Sequence, residues 1–327
     1  TMNYADVNEI GVEEIPVIDI SSLFGEDPNY RKIGEQLELA AKTVGFFYVS
    51  GHCVNEQLTQ RTFSMARRFF ASDDALKSAV LAREYHRGLL PFGVSRMEGQ
   101  VRDDLKESYV WGMDFAADNP EFLAGNEFMP PNRWPDFLPE MRETLLDYLD
   151  AVHQCGKALL RAIAAALEIE QDYFIGRFNS PISRGALIHY PPQPPTLGKD
   201  QFGVSPHTDY GTMTILAQDM SGGLRVKSRL DEWITAHPIP GTLVVNIGDL
   251  LARWSNDRFN SNRHAVVNSS GRERYSIAIA MDPDWDTLIS PVVKPGEEPF
   301  YEDVSCGEYI RGRFDRSFSY RNTGAKT

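Results

Sequence analysis

Between Gly185 and Asp282 the chain passes through seven short apolar or alternating stretches, GALIHY, GTMTILAQD, GLRVK, EWITAHP, GTLVVNIG, NRHAVVN and RYSIAIAMD, separated by glycine, proline, asparagine and aspartate. Segments of this length and alternation read as strands, and the punctuation between them reads as turns. A succession of such strands folds as a β-sandwich or barrel. That run constrains the chain more than any other feature. At 327 residues, either one large β-rich domain or two domains of ordinary size fit.

The flanking regions carry helical periods. The strand IPVIDISSL is followed by an amphipathic helix with Ile33, Leu37, Ala40, Ala41 and Val44 at helical spacing, and then by a second strand, GFFYVSGH. Leu58, Phe63, Ala66 and Phe70 predict another helix from Asn55 to about Phe70. From Gly88 to Gly112 apolar and polar residues alternate as in a strand, placed beside the pocket. The proline-rich connector FMPPNRWPDFLPE precedes a long helix to about Leu167, whose stripe of Met141, Leu145, Leu149, Val152, Leu159, Ile163 and Ala166 suits a scaffold behind a sheet. The acidic PGEEPFYEDVS leads into a short helix from Cys306 to Phe314, and NTGAKT is expected to be disordered. The divisions are therefore a mixed α/β region packing on the barrel (2–120), a scaffold-helix region (121–173), the β core (174–290) and a C-terminal segment (291–327). No internal repeat or low-complexity tract interrupts them.

Composition removes several classes of function. The net charge of -13 repels polyphosphate backbones, which argues against a nucleic-acid partner. No apolar run reaches the length that crosses a bilayer, and the acidic first thirty residues lack the features of a secretory signal. The three cysteines, Cys53, Cys155 and Cys306, are odd in number and far apart, against both a disulfide framework and a thiolate metal site. A cytoplasmic protein in reducing surroundings is expected, as a monomer or weak homo-oligomer acting on a small molecule.

The chemistry lies in the barrel. In SPHTDYGTMTIL, His207 and Asp209 are two apart, so a strand or its end sets an imidazole and a carboxylate on one face. His264, in NRHAVVN, is the best third ligand. Two histidines and one carboxylate occupy one face of an octahedron and leave positions open, as at iron(II) sites that activate dioxygen; zinc asks for a closed tetrahedron or a single bound water. Arg274 and Ser276 share a strand face, and a guanidinium with a hydroxyl beside it can clamp the distal carboxylate of 2-oxoglutarate. Tyr190 offers a phenol to the same anion. A His-x-Asp pair alone is common by chance; the combination carries the weight. His52, His86, His153, His189 and His237 have no comparable partners and are read as packed or exposed, and Glu107 and Asp249 as structural.

Taken in order, HTDYGTMTIL, GGLRV, EWITAHPIPGTLVVNIGDLLARWSNDRFNSNRHAVVN and RYSIAIAMDP resemble the isopenicillin N synthase-like branch of the iron(II)/2-oxoglutarate-dependent dioxygenases. The resemblance extends to LIHYPP and to the N-terminal IPVIDISSL and GFFYVSGH. It implies a double-stranded β-helix, a cupin-like jelly roll flanked by helices, with iron at its open end. His207, Asp209 and His264 fall on the iron ligands, Arg274 and Ser276 on the co-substrate clamp, and Tyr190 on the co-substrate tyrosine. Two positions depart: Ile188 stands where many relatives have asparagine, and Ala265 where many have arginine.

The implied reaction couples oxidative decarboxylation of 2-oxoglutarate to hydroxylation, desaturation or ring closure of a small organic molecule. It uses Fe(II), dioxygen and, as reductant, ascorbate. Within the same family, oxidases of the isopenicillin N synthase type use the Arg-x-Ser pair for a substrate carboxylate instead. A metal-binding sensor without turnover is a further alternative, while a zinc hydrolase would need a general base for which the sequence offers no motif. RGLLPFG, the neighbourhood of Trp111, Ala280 and Asp282 are candidate pocket residues. Small Ala186 and Ala280 leave room for a bulky apolar or aromatic substrate.

Overall fold

Asn29 accepts a hydrogen bond from the Lys32 amide and starts helix α1 (Tyr30–Thr43), which turns Ile33, Leu37, Ala40 and Ala41 inward. Asn55 does the same for α2 (Glu56–Phe70) by accepting from the Gln57 and Leu58 amides. Short helices α3 (Asp74–Ser78) and α4 (Pro120–Leu123) precede the long α5 (Glu140–Leu167), which ends at Glu168 in the left-handed region. Helices α6 (Asp249–Trp254) and α7 (Cys306–Ser317) follow. These elements belong to a computed structural model that describes residues 15–97, 100, 102–193, 201–228 and 231–317; the tail segment NTGAKT lies outside them.

The strands are β1 (Val17–Asp19), β2 (Phe46–Ser50), β3 (Gly88–Leu90), β4 (Glu107–Gly112), β5 (Arg184–Tyr190), β6 (Val204–His207) and β7 (Met213–Gln218). They continue with β8 (Leu224–Lys227), β9 (Trp233–Thr235), β10 (Leu243–Ile247), β11 (His264–Val266), β12 (Arg274–Met281), β13 (Leu288–Ile289) and β14 (Val304–Ser305). A large sheet has the order β1-β2-β10-β7-β12-β5-β4-β3 and faces a smaller one, β6-β11-β8-β9. The two make the double-stranded β-helix, flanked by helices. The early strands are part of it, since β2 bonds to β10 and β4 to β5.

Period-two alternation separates two apolar cores. Ile188, Tyr190, Leu216 and Val244 point between the sheets and meet Val204, Leu224, Val226, Ile234 and Val266. Their neighbours Leu187, Ile215, Val245, Ile277 and Ile279 point outward to the helices. There α5 acts as the expected scaffold, and its Leu145 carbonyl accepts from Trp111 Nε1 at 3.1 Å. Gly34 of α1 approaches α5 so closely that a Cβ would stand 2.1 Å from the Ala162 carbonyl oxygen.

Three features differ from the sequence reading. Among the described residues of the 88–112 stretch only the ends are strand, because Pro91 lacks an amide donor and Gly93 takes a positive φ of 80°. Strand β6, which carries His207, is additional; its VSPH segment has too little apolar character to announce itself. The β13–β14 hairpin is likewise too short to show a period.

Candidate functional site

Strand register makes the centre. His264 of β11 is the direct cross-strand partner of His207 of β6, although 57 positions separate them in the chain. Facing positions on neighbouring strands hold side chains together, and here the two rings lie with centroids 4.2 Å apart. Asp209 follows the end of β6, where its carbonyl accepts from the Asp249 amide at 2.8 Å. Its Oδ1 stands 3.4 Å from His207 Nε2 and 3.6 Å from His264 Nε2. All three residues thus offer a ligand atom to a single ion, each within 4.8 Å of the others.

The surroundings prepare those atoms. The Ser205 carbonyl accepts from His207 Nδ1 at 2.7 Å, and the Asn262 carbonyl lies 3.4 Å from His264 Nδ1. A carbonyl only accepts, so Nδ1 carries the proton in each ring and Nε2 keeps its lone pair for a metal. On Asp209, Oδ2 accepts from the Asn246 amide at 2.7 Å and the Thr214 hydroxyl at 2.5 Å, which leaves Oδ1 as the free oxygen. Burial, reinforced by His207, pushes the His264 imidazole down to about 4, so it is neutral at pH 7. Burial works to raise the Asp209 carboxyl, but the histidines and Asn246 outweigh it and hold it far below the ordinary range. Two imidazoles with Nε2 available and one carboxylate would suit ferrous iron, and the cavity opens beside them.

The cavity of about 220 Å³ lies between the sheets and reaches from the three ligand residues to Arg274 and Ser276. Arg274 is 0% exposed and Ser276 1%. The guanidinium donates through Nε to the Gly222 carbonyl at 2.8 Å and through Nη2 to Gln218 at 3.4 Å, while Tyr190 presents its ring at 4.7 Å. Nη1 and the Ser276 hydroxyl have no partner, and among the described residues no carboxylate pairs with Arg274. An uncompensated buried cation beside an unused hydroxyl is a site shaped for a carboxylate. Ile188 stands directly across from Ser276 and lines the same space.

Of the candidate pocket residues, Leu90, Val110 in the neighbourhood of Trp111, Ala186 and Ala280 line the cavity. Trp111 does not: it points to the opposite face of the sheet, against α5. Asp282 does not line it either, being fully buried behind Arg184. Glu107 is structural, bonded to Lys77 and His189 on the outer face, where His189 stacks on Tyr275. Asp249 has a larger part. It accepts from the Thr208 hydroxyl at 2.9 Å and from Arg313 at 2.8 Å, tying α7 to the loop between two of the ligand residues.

Sequence reasoning missed Asn246, Thr214, Lys106, Arg184, His86 and Phe314, all of which line the cavity. Asn246 was discoverable, as an amide inside the otherwise apolar strand LVVNI. Phe314 and His86 come from distant parts of the chain and meet with ring centroids 4.8 Å apart.

Residues 182–283 match the family model of the 2OG-Fe(II) oxygenase superfamily, and residues 15–137 match the model described as non-haem dioxygenase in morphine synthesis N-terminal. A 2-oxoglutarate-Fe(II) type oxidoreductase of Emericella nidulans is 33% identical over 318 residues, covering 93% of this chain and 90% of its own. A 2-oxoglutarate-dependent dioxygenase of Monascus ruber is 33% identical over 301 residues, covering 89% of this chain and 91% of its own. The crystal structure of a full-length Neurospora crassa protein in complex with alpha-KG and thymine superposes with a TM-score of 0.80 at 30% identity, over 91% of this chain and 96% of that one.

Proposed function

The chain belongs to the 2OG-Fe(II) oxygenase superfamily, and on that premise we propose that His207 Nε2, Asp209 Oδ1 and His264 Nε2 hold its iron while Arg274 and Ser276 hold the distal carboxylate of 2-oxoglutarate. The protein is a non-haem iron(II) oxygenase, which couples oxidative decarboxylation of 2-oxoglutarate to oxidation of a small organic molecule. Iron with 2-oxoglutarate and dioxygen supplies the oxidising power, with succinate and carbon dioxide as co-products. The protein's own part is to bind, orient and keep dry.

The division of labour follows from the two ends of the cavity. Arg274 neutralises the co-substrate's far carboxylate, and Tyr190 holds the guanidinium plane by covering one face. Ser276 donates to the same carboxylate. The keto-acid end then points at the Asp209 side of the pocket. The substrate takes the remaining volume, floored by Ala186, Ala278 and Ala280. Among the described residues no helix is long and apolar enough to cross a membrane.

The observation that carries the assignment is Arg274, wholly buried with Nη1 unpartnered and no counter-ion among the described residues. The test is succinate release with iron(II), ascorbate and 2-oxoglutarate across amino acids, phenolics and terpenoids, alongside direct titration of 2-oxoglutarate. Arg274→Ala is expected to weaken 2-oxoglutarate binding by about 10- to 100-fold, the worth of a charged hydrogen bond. Unchanged affinity in that variant, or turnover that needs oxygen and ignores 2-oxoglutarate, overturns the assignment.

A further inference from the structure

The cavity has a second polar end, away from the co-substrate clamp. Ala280 of β12 pairs with Arg184 of β5 on one side and with Thr214 of β7 on the other, so the three residues form one row across the sheet. Thr214 is the residue whose hydroxyl holds Asp209. Neighbouring strands lie about 4.8 Å apart, which puts the Arg184 backbone about 10 Å from that of Thr214. The floor between them is low, because Ala280 and, in the next row, Ala278 and Ala186 face the cavity.

Arg184 is 9% exposed and lines this end. Asp282 accepts from its Nη2 at 2.7 Å, and the Phe314 ring of α7 covers the guanidinium at 4.4 Å. Asp282 is itself wedged against Gly211, where an added Cβ would fall 1.8 Å from Oδ1. The guanidinium plane is thus held from two sides, and one corner is left over. Nη1 is buried without a hydrogen-bond partner. Buried donors are almost always satisfied, and one left open on a residue that lines a cavity can serve a molecule that enters it.

We propose that Arg184 reads the substrate, donating from Nη1 to a neutral carbonyl oxygen on a ring-sized molecule whose other end reaches the metal. This rests on the oxygenase reading above. Charge decides between a neutral and an anionic acceptor. Asp282 already balances the guanidinium, and a second carboxylate would set two anions on one cation in a site where burial already pushes the Asp282 carboxyl up. The carbonyl of an amide, lactone or ketone needs only the hydrogen bond. Lys106, the cavity's other cation outside the clamp, immediately precedes β4 beside Tyr190, six residues along β5 from Arg184, and therefore does not serve this end.

The probes are para-toluamide, para-toluate and para-xylene, which share a ring and a methyl group and differ at the carbonyl end. Each is titrated calorimetrically into anaerobic protein loaded with iron(II) and 2-oxoglutarate, using wild type and the double variant Arg184→Met, Asp282→Asn, which leaves neither charge stranded. The amide is expected to bind wild type at least about tenfold more tightly than the other two, and to fall to the para-xylene level in the double variant. Equal binding of toluate and amide to wild type, or an amide preference that survives in the variant, overturns the proposal. Should the variant not fold, a crystal structure of the wild-type complex with para-toluamide decides: the carbonyl oxygen lies within hydrogen-bond reach of Nη1, or lies elsewhere and the proposal is wrong. Titration of 2-oxoglutarate into wild-type protein carrying iron(II) alone tests the premise separately. If it fails to bind, the oxygenase reading falls; if it binds and the amide preference is missing, only the role of Arg184 falls.

Discussion

Asn246→Ala probes the metal centre without touching a ligand. The Asn246 amide is buried and donates to Asp209 Oδ2 at 2.7 Å, while the Thr214 hydroxyl donates to the same oxygen at 2.5 Å. Together they fix the carboxylate so that Oδ1 faces both imidazoles. A hydrogen bond to a charged group contributes about 1.5–3 kcal/mol net, and losing a group that orients a metal ligand weakens metal binding by about 10- to 100-fold. These two figures agree, since about 1.4 kcal/mol is a factor of ten. Because Thr214 remains, the variant should bind iron(II) at the lower end of that range. Adding Thr214→Val should move it further than the sum of the single effects, since the carboxylate is then free to turn. The assay is anaerobic competition between the protein and a chelator for iron(II), with thermal unfolding measured with and without metal. The expected signature is a raised Kd for metal, with the metal-bound protein losing more stability than the metal-free one. An iron Kd within about twofold of wild type would refute the argument, as would a metal-free stability loss equal to the loss in the metal-bound protein.

Other outcomes follow from the same structure. Arg274→Met removes a buried cation that has no counter-ion among the described residues together with its hydrogen bond to the Gly222 carbonyl, so 2-oxoglutarate should no longer raise the Tm of the variant; a Tm that still rises with 2-oxoglutarate would contradict the carboxylate site at Arg274. His153 is buried on α5, and burial pushes its imidazole down to about 4. Its folded pKa lies below the unfolded one, so the contribution is present above about pH 6.5 and is lost as pH falls toward 4, by at most about 3 kcal/mol. His153→Gln should flatten that part of a stability–pH curve, and a curve of unchanged slope counts against it. Gly34→Ala should destabilise the fold by about 1–3 kcal/mol in denaturant melts, because its Cβ would press on the Ala162 carbonyl of α5. The 2-oxoglutarate affinity of that variant should stay at the wild-type value, since the contact lies on the far side of the large sheet.

The elements were legible where the period was long enough. Helix α5 carries its apolar stripe over 28 residues and was predicted almost to its ends, as was α2, while α1 was read from its apolar spacing without bounds and ends one residue before Val44. The seven stretches that predicted a β sandwich or barrel each hold a strand. The candidate ligands were legible too, because His207 and Asp209 are neighbours in sequence and the resemblance extends to His264. Short elements were lost: β6 spans four residues with a proline and a histidine among them, and β13 spans two.

Residue order by itself determined which stretches become strand or helix, and which side chains are chemically able to take a metal or a carboxylate. Only the tertiary structure decided which strand lies beside which. That pairing sets His207 opposite His264, brings Asn246 from β10 and Thr214 from β7 onto one carboxylate oxygen, and closes Asp282 on Arg184 while leaving Nη1 free. The physical reason is range. A hydrophobic period is a property of adjacent residues, whereas strand register is chosen by the packing of whole sheets, and a shift of one residue would turn every one of these side chains to the opposite face.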